Sequence, residues 1–70
     1  MQSKMLGKIV WYDSNKKRGY ILGLDEEKYY FDYSCQVDIK EVFFKNEQVK
    51  FIPFFEYEIP YAKQVEKVID

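Results

Sequence analysis

Two stretches decide the predicted fold: Lys16-Lys17-Arg18-Gly19-Tyr20-Ile21 and Tyr29-Tyr30-Phe31-Asp32-Tyr33. Both contain aromatic residues, and the first also contains the β-branched Ile21; residues of these two kinds favour strands. Side chains alternate between the two faces of a strand, so Arg18 shares a face with Tyr20, and Tyr30 shares a face with Asp32. If the two strands pair through the polar turn between them, aromatic rings and a guanidinium line one side of a small sheet. Unpaired bases stack on surfaces of this composition.

Three further strands are predicted outside this pair. The five predicted strands are Met5–Tyr12, Arg18–Leu22, Tyr29–Tyr33, Gln48–Phe54 and Tyr61–Val68. Pro53 is expected at the end of a strand or at a sheet edge, because proline cannot donate a ladder hydrogen bond, and Pro60 is expected to interrupt the following connection. Residues 62–69 also fit a short helix, since their apolar residues have helical spacing. Five short strands at regular spacing predict a small closed or partly open barrel.

Composition indicates a small globular protein without an ordinary metal or catalytic site. The 70 residues predict one domain. With one Cys and no His, the chain has neither a usual zinc ligand set nor an internal disulfide, and Cys35 is expected to be a partly buried thiol. We find no His base, no paired carboxylates in an evident pocket and no Gly-rich phosphate loop. We therefore expect a protein that is not an enzyme and needs no cofactor.

The hydropathy pattern bears on location. No apolar run approaches the ~20 residues that span a bilayer. The first residues also lack the charged and then apolar pattern of a secretory leader. We therefore expect a protein in a reducing, cytoplasmic setting, without a membrane partner. We also expect it to be a monomer.

The charge distribution bears on whether the chain holds phosphates. The net charge is −1, which argues against a nucleic-acid ligand because phosphate-binding domains are usually basic. Five basic residues nevertheless fall within the first eighteen: Lys4, Lys8, Lys16, Lys17 and Arg18. Acidic residues dominate later, so a basic face is compatible with a nearly neutral molecule. The run 16–18 is either simply solvated or, beside aromatic side chains, in contact with phosphates.

An ungapped pattern runs from Gly7 to Ser34: Gly7, Ile9, Trp11-Tyr12, the polar turn Asp13-Ser14-Asn15, and then the two stretches quoted above. This pattern resembles the bacterial cold-shock domain, whose two RNA-binding motifs correspond to residues 16–21 and 29–34. Looser matches follow at residues 46–51 and 62–65. The resemblance implies that residues 1–70 form a single cold-shock-like domain, a five-stranded antiparallel OB-type barrel. Its expected interior residues are Ile9, Ile21, Phe31, Val49, Phe51 and Val65.

The resemblance also implies a function. Cold-shock-like barrels bind single-stranded RNA or DNA with low sequence specificity, and we expect RNA here, with activity as an RNA chaperone or a regulator of transcription or translation. Bases stack on aromatic side chains while basic side chains contact phosphates. The residues assigned to this site are Lys8, Trp11, Lys16, Lys17, Arg18, Tyr20, Tyr30, Asp32 and Tyr33. Structural roles are the alternative, since composition alone favours a core position for Trp11 and cross-strand tyrosine pairs stabilise sheets.

Departures from the family pattern affect the same site. Lys17 replaces a glycine, Arg18 replaces an aromatic residue, and Asp32 replaces a histidine. Arg18 partly compensates, because a guanidinium stacks on bases and pairs with phosphates. Asp32 is either a surface carboxylate that repels phosphates or an acceptor for a base amino group. The turn Asp25-Glu26-Glu27 is expected to make the same edge acidic.

The alternative function is an OB-fold protein-interaction module that has lost most nucleic-acid binding, or a regulator whose partner is a polymerase or nuclease. The acidic net charge favours it, as do Asp32 and Val10, which stands where the family often has a basic residue. The apolar segment 55–59 replaces a Gly-Pro-rich loop. One member each of Phe43-Phe44 and Phe54-Phe55 is expected in the core, and the other members are candidates for a protein partner's surface.

Overall fold

The computed structural model describes residues 3–69, which form a closed barrel of five strands. The strands are β1 (Met5–Asp13), β2 (Arg18–Gly23), β3 (Lys28–Asp32), β4 (Gln48–Glu56) and β5 (Ile59–Lys67), with one 3₁₀ turn at Tyr33–Cys35. The order around the barrel is β1-β2-β3-β5-β4, and β4 closes on β1. The prediction of a five-stranded OB-type barrel is confirmed.

One pairing corrects the expectation of a purely antiparallel barrel. β3 and β5 run parallel, in register at Tyr30 and Tyr61. The segment between them contains the 3₁₀ turn, a long loop and all of β4, so β5 returns to β3 in the same direction. The other pairs, β1–β2, β2–β3, β1–β4 and β4–β5, are antiparallel.

The two prolines lie within strands. Pro53 pairs with Ala62 in the middle of the β4–β5 hairpin. β4 pairs with β1 only as far as Phe51, so one edge of β4 has no strand partner at Pro53 and the missing N–H breaks no ladder there. The edge interpretation of Pro53 therefore holds. The expectation for Pro60 was wrong, because Pro60 lies inside β5 opposite Phe55.

A two-residue turn joins β4 to β5. Its residues, Tyr57 and Glu58, have φ values of 51° and 66°. Positive φ at both central residues is the backbone of a tight hairpin turn whose twist matches that of the strands. This turn lets both strands run longer than predicted, and the alternative of a short helix at the end of the chain is wrong through Lys67, where β5 ends.

The barrel interior contains every residue predicted for it. Ile9, Ile21, Phe31, Val49, Phe51 and Val65 are all buried, together with Tyr29, Phe43 and Ala62. Phe43 comes from the loop before β4 and packs edge-on against Phe31, which closes one end of the barrel. One member of each Phe pair is exposed, namely Phe44 and Phe55. The expected core position holds for Phe43 but not for Phe54, which is half-buried on the outer side of β4. Cys35 is half-buried.

Tyr29 is a core residue whose polar group reaches the barrel edge. Its hydroxyl donates to Asp25 Oδ2 at 2.5 Å in the β2–β3 turn. Burial, and then the neighbouring Asp25 carboxylate, raise the pKa of Tyr29 from 10.0 to about 12. The hydrogen bond from Tyr29 lowers the pKa of Asp25.

This pair predicts a loss of stability in alkali. The pKa of Tyr29 is higher in the folded chain than in the unfolded chain, so its contribution is complete below pH 10 and is lost as the pH rises towards 12. We expect the free energy of unfolding to fall by up to about 2 kcal/mol across that interval. Tyr29→Phe removes the titrating group and should lose less stability between the same two pH values. Urea unfolding of both proteins at each pH measures the difference, and parallel losses would contradict this role.

Within residues 3–69, none of the structure forms a helix of the length and apolar character needed to cross a bilayer.

Candidate functional site

A bulge in β1 sets the direction of Trp11. Ile9 pairs with Ile21, but the next pair is Trp11 with Tyr20, so Val10 is an extra residue on β1. Strict alternation from the buried Ile9 would turn Trp11 into the core. The bulge reverses the alternation, so Trp11 points outward with 45% of its surface exposed.

Beyond the bulge, Tyr12 takes the inward position. Its ring stacks on Phe31 at 5.8 Å, and its hydroxyl donates to Oε1 of the buried Gln36 at 3.0 Å. Nε2 of Gln36 in turn donates to the carbonyls of Asp38 and Glu41. Burial raises the pKa of Tyr12. This network holds the strand that carries Trp11 against the loop before β4.

Gly19 makes room for the bulge. Gly19 lies opposite Tyr12, and a Cβ atom on it would stand 2.1 Å from the carbonyl oxygen of Trp11. No side chain fits at that distance, so glycine is required for a steric reason rather than for its backbone freedom.

Trp11, Tyr20 and Tyr30 form a continuous cross-strand row, here called the aromatic row. Tyr20 pairs with both of the other two residues. The ring centroids are 5.5 Å apart for Trp11 and Tyr20, and 4.7 Å apart for Tyr20 and Tyr30. Tyr30 is 43% exposed, whereas Tyr20 is half-buried between its two neighbours. The row thus places the three predicted rings together on the outside of the barrel.

The aromatic row lies in an open groove of about 880 Å³, here called the aromatic groove. Its floor continues from β3 onto β5 and β4, and the β4–β5 hairpin forms one wall. The lining residues are Trp11, Arg18, Gly19, Tyr20, Tyr30, Phe31, Asp32, Cys35, Phe54, Glu58, Ile59, Pro60 and Tyr61. Most of this lining is apolar, and its charged members are Arg18, Asp32 and Glu58.

Tyr33 is not part of the aromatic groove. It lies in the 3₁₀ turn after β3, 52% exposed, and lines a smaller neighbouring groove of about 310 Å³. The other residues of this basic groove are Asn15, Lys16, Lys17, Ile39 and Lys40. Three lysines and one tyrosine ring therefore form a separate surface. Of the predicted basic run, only Arg18 lines the aromatic groove.

Charged residues flank the aromatic row on both sides. On one side, Lys8, Leu22 and Lys28 pair across β1, β2 and β3. Lys28 Nζ lies 5.4 Å from the centre of the Tyr20 ring, close enough for a cation–π interaction. Lys8 lies in the same row but lines neither groove.

On the other side of the aromatic row, Arg18 of β2 lies opposite Asp13 of β1 and opposite Asp32 of β3 in the sheet register. Both carboxylates are engaged in local hydrogen bonds. Asp13 accepts from the backbone N–H groups of Asn15 and Lys16, and Asp32 Oδ1 accepts from the N–H of Ser34 at 2.9 Å and from its hydroxyl. Asp32 thus caps the 3₁₀ turn, and this capping gives the residue a structural reason that the sequence did not reveal.

The acidic turn is remote from Asp32, contrary to expectation. The β2–β3 register places Leu22 opposite Lys28 at the end that leads into residues 24–27, whereas Arg18 pairs with Asp32 at the opposite end. The turn and Asp32 therefore lie at opposite ends of the β2–β3 hairpin, separated by the length of its strands. Asp25 is instead the hydrogen-bond partner of Tyr29.

Five residues of this region were missed from the sequence: Lys28, Phe54, Glu58, Tyr61 and Lys63. The outward position of Lys28 was predictable from the sequence, because Lys28 stands two residues before Tyr30 and therefore shares its strand face. Tyr61 and Phe54 join the groove through the parallel β3–β5 contact and the β4–β5 register. No local pattern reveals such pairings, since the strands are distant in sequence.

The chemistry available in the groove is stacking and charge pairing. Among residues 3–69, no group of three or more His, Cys, Asp or Glu side chains is arranged to hold a metal ion. No family model matches the chain, and no curated protein matches it.

Proposed function

We propose that the protein binds single-stranded nucleic acid, RNA in particular, with little sequence preference, along the aromatic row. One observation carries the proposal: Trp11, Tyr20 and Tyr30 stand side by side on the outer surface of the barrel, and the first and last rings are exposed. Exposed aromatic rings beside cationic side chains are the usual platform for unpaired bases. The resemblance of residues 7–34 to cold-shock domains supports the same function, and the free thiol of Cys35 fits a reducing, cytoplasmic setting.

Binding requires the bases to leave their own stack. Ring centroids 4.7 and 5.5 Å apart are more widely spaced than the roughly 3.4 Å between bases along one strand of a duplex. A strand whose bases lie on successive rings of the row is therefore more extended than a strand of a duplex. Arg18 and Lys28 flank the row and attract the backbone, while Lys16 and Lys17 act from the basic groove. Paired bases cannot present their faces, so binding opens RNA hairpins without ATP.

Titration of a single-stranded oligonucleotide, followed by Trp11 fluorescence, tests the proposal. Trp11 is the sole tryptophan, so the signal reports the row directly. We expect roughly two to four neutralised phosphates, which predicts a slope of log K against log salt near −1.5 to −3 at about −0.7 per phosphate. A duplex of the same sequence should compete weakly. Saturating oligonucleotide without a change in fluorescence, or a slope of zero, would contradict the proposal.

The protein-interaction alternative is favoured by the end of the β4–β5 hairpin. Phe55 and Tyr57 are 60% and 94% exposed there, next to the acidic residues Glu56 and Glu58. Exposed apolar side chains rimmed by charge are typical of protein contacts. The oligonucleotide titration separates the two functions, because a protein-interaction module would give no binding that depends on the aromatic row.

Asp32→Asn is expected to tighten binding of every homopolymer about two- to fivefold, the size of an exposed charge interaction. The amide keeps an oxygen acceptor for Ser34, so the cap survives while the negative charge beside Arg18 disappears. Affinities for homopolymers of all four bases at one salt concentration measure the effect. If adenine and cytosine strands weaken and uracil strands do not, Asp32 instead accepts a hydrogen bond from base amino groups.

A further inference from the structure

The line of aromatic rings does not end at β3. The Tyr61 ring of β5 lies 6.3 Å from Tyr30, and the Phe54 ring of β4 lies 5.3 Å from Tyr61. Tyr61 and Phe54 are stacked, with an interplanar angle of 25°. Both are half-buried and both line the aromatic groove. With them, every strand of the barrel contributes one ring to the line.

A lysine stands at the far end of this line. Lys63, two residues after Tyr61 on β5, is exposed, and its Nζ lies 4.2 Å from the centre of the Phe54 ring. Among the residues that the structure describes, the ion pairs are Lys4–Glu66 and Lys67–Glu47, so the Lys63 ammonium is held over an aromatic face rather than by a carboxylate. Lys28 over Tyr20 is the same arrangement at the other half of the groove.

An acidic residue, Glu58, has the opposite electrostatic effect to Lys63. Glu58, in the tight turn of the β4–β5 hairpin, also lines the groove and is exposed. A carboxylate repels phosphate groups, whereas the Lys63 ammonium attracts them. When a nucleic-acid strand reaches this half of the groove, Glu58 therefore weakens its binding and Lys63 strengthens it. The two residues thus have opposite predicted effects on affinity.

We propose that the β4–β5 half of the groove is a second stacking subsite for the same nucleic-acid strand. Tyr61 and Phe54 supply the aromatic surface, and Lys63 contacts a phosphate. The inference rests on the proposed function, and it adds a ligand-length dependence that the aromatic row does not have. Strands too short to pass Tyr30 use the row alone, while longer strands also occupy Tyr61 and Phe54.

The test compares strands of about 4 and about 7 nucleotides, lengths near the lower end of OB-fold site sizes. Binding is read at Trp11 for the intact chain and for three variants: Tyr61→Ala, Lys63→Gln and Glu58→Gln. Tyr61→Ala should weaken the long strand roughly 5- to 100-fold, in line with one lost stacking partner, and leave the short strand unchanged. Lys63→Gln should make the salt slope of the long strand less negative by about 0.7.

Glu58→Gln should tighten the binding of the long strand and leave the binding of the short strand unchanged. Lys63→Gln and Glu58→Gln lie on exposed positions, so they keep the test decisive if Tyr61→Ala fails to fold. Tyr57→Ala is the matched control, because Tyr57 is a tyrosine of the same hairpin that does not line the groove. It should change neither affinity.

The outcomes separate the subsite from the proposed function. If neither strand binds the intact chain, the proposed function fails. If both strands bind and the long strand responds to Lys63→Gln and Glu58→Gln no more than the short strand does, the ligand ends at Tyr30. The second subsite is then overturned, Tyr61 and Phe54 serve only to stabilise the sheet, and the proposed function remains intact.

Discussion

Replacing both Trp11 and Tyr30 by alanine is expected to weaken the binding of a single-stranded oligonucleotide by about 2–6 kcal/mol. Each lost stacking partner accounts for about 1–3 kcal/mol. Both rings contact Tyr20, so this range is the sum of the two single effects before any coupling through Tyr20. A loss of this size would raise a Kd of about 1 μM to between about 30 μM and about 25 mM.

The double variant should remain folded, because both side chains point away from the core and are nearly half exposed. Fluorescence anisotropy of a labelled strand measures its affinity, since the tryptophan signal is lost. Urea unfolding, followed by circular dichroism, measures its stability. Phe44→Ala is the control, as Phe44 is exposed and lies in neither groove. A folded double variant that binds as tightly as the control would show that the row does not hold the ligand.

Gly19→Ala is expected to destabilise the barrel by about 3 kcal/mol or more, at the upper end of the usual cost of overpacking. The added methyl group would stand 2.1 Å from the backbone oxygen of Trp11 and 3.0 Å from the Cα atom of Tyr12. Backbone atoms cannot move aside as a side chain does, so the β1 bulge must shift. Trp11 should then leave its position beside Tyr20, and oligonucleotide affinity per folded molecule should fall as well.

Gly23→Ala is the matched comparison at the other end of β2. The three atoms nearest to a Cβ atom there belong to the side chains of Asp25, Met5 and Tyr29, at 2.7–3.0 Å. Those side chains can adjust, so this variant should lose less stability than Gly19→Ala and should leave Trp11 in place. Urea unfolding and the emission maximum of Trp11 measure both effects. A small loss in Gly19→Ala, no larger than that in Gly23→Ala and with the Trp11 emission maximum unchanged, would mean that the bulge tolerates a side chain at position 19.

The inward and outward positions of the strands were predictable residue by residue. Ile21 and Phe31 face the core, whereas Tyr20 and Tyr30 face outward, because side chains alternate along any strand and apolar residues occupy the buried side. The pairing of Tyr20 with Tyr30 was predictable for the same reason, since a short turn joins their strands. Lys28 was predictable from this alternation but was overlooked.

Trp11 shows where alternation stops being sufficient. The same spacing that buries Ile9 should bury Trp11, and only the bulge at Val10 reverses it. Hints were present in the family-like pattern and in Gly19, but a glycine in a strand has several possible reasons. Asp32 is comparable, because its cap on Ser34 depends on the 3₁₀ turn that follows β3.

By itself, the sequence determined the number of strands, the composition of the core and the outward face of β2 and β3, because these follow from local alternation and hydrophobicity. The tertiary structure alone decided which distant strands meet. The parallel contact of β3 with β5 brings Tyr61 to Tyr30, and the β4–β5 register brings Phe54 to Tyr61, while the 3₁₀ turn moves Tyr33 into a separate groove. These placements depend on closing the barrel, and closure joins segments whose separation along the chain leaves no local signal.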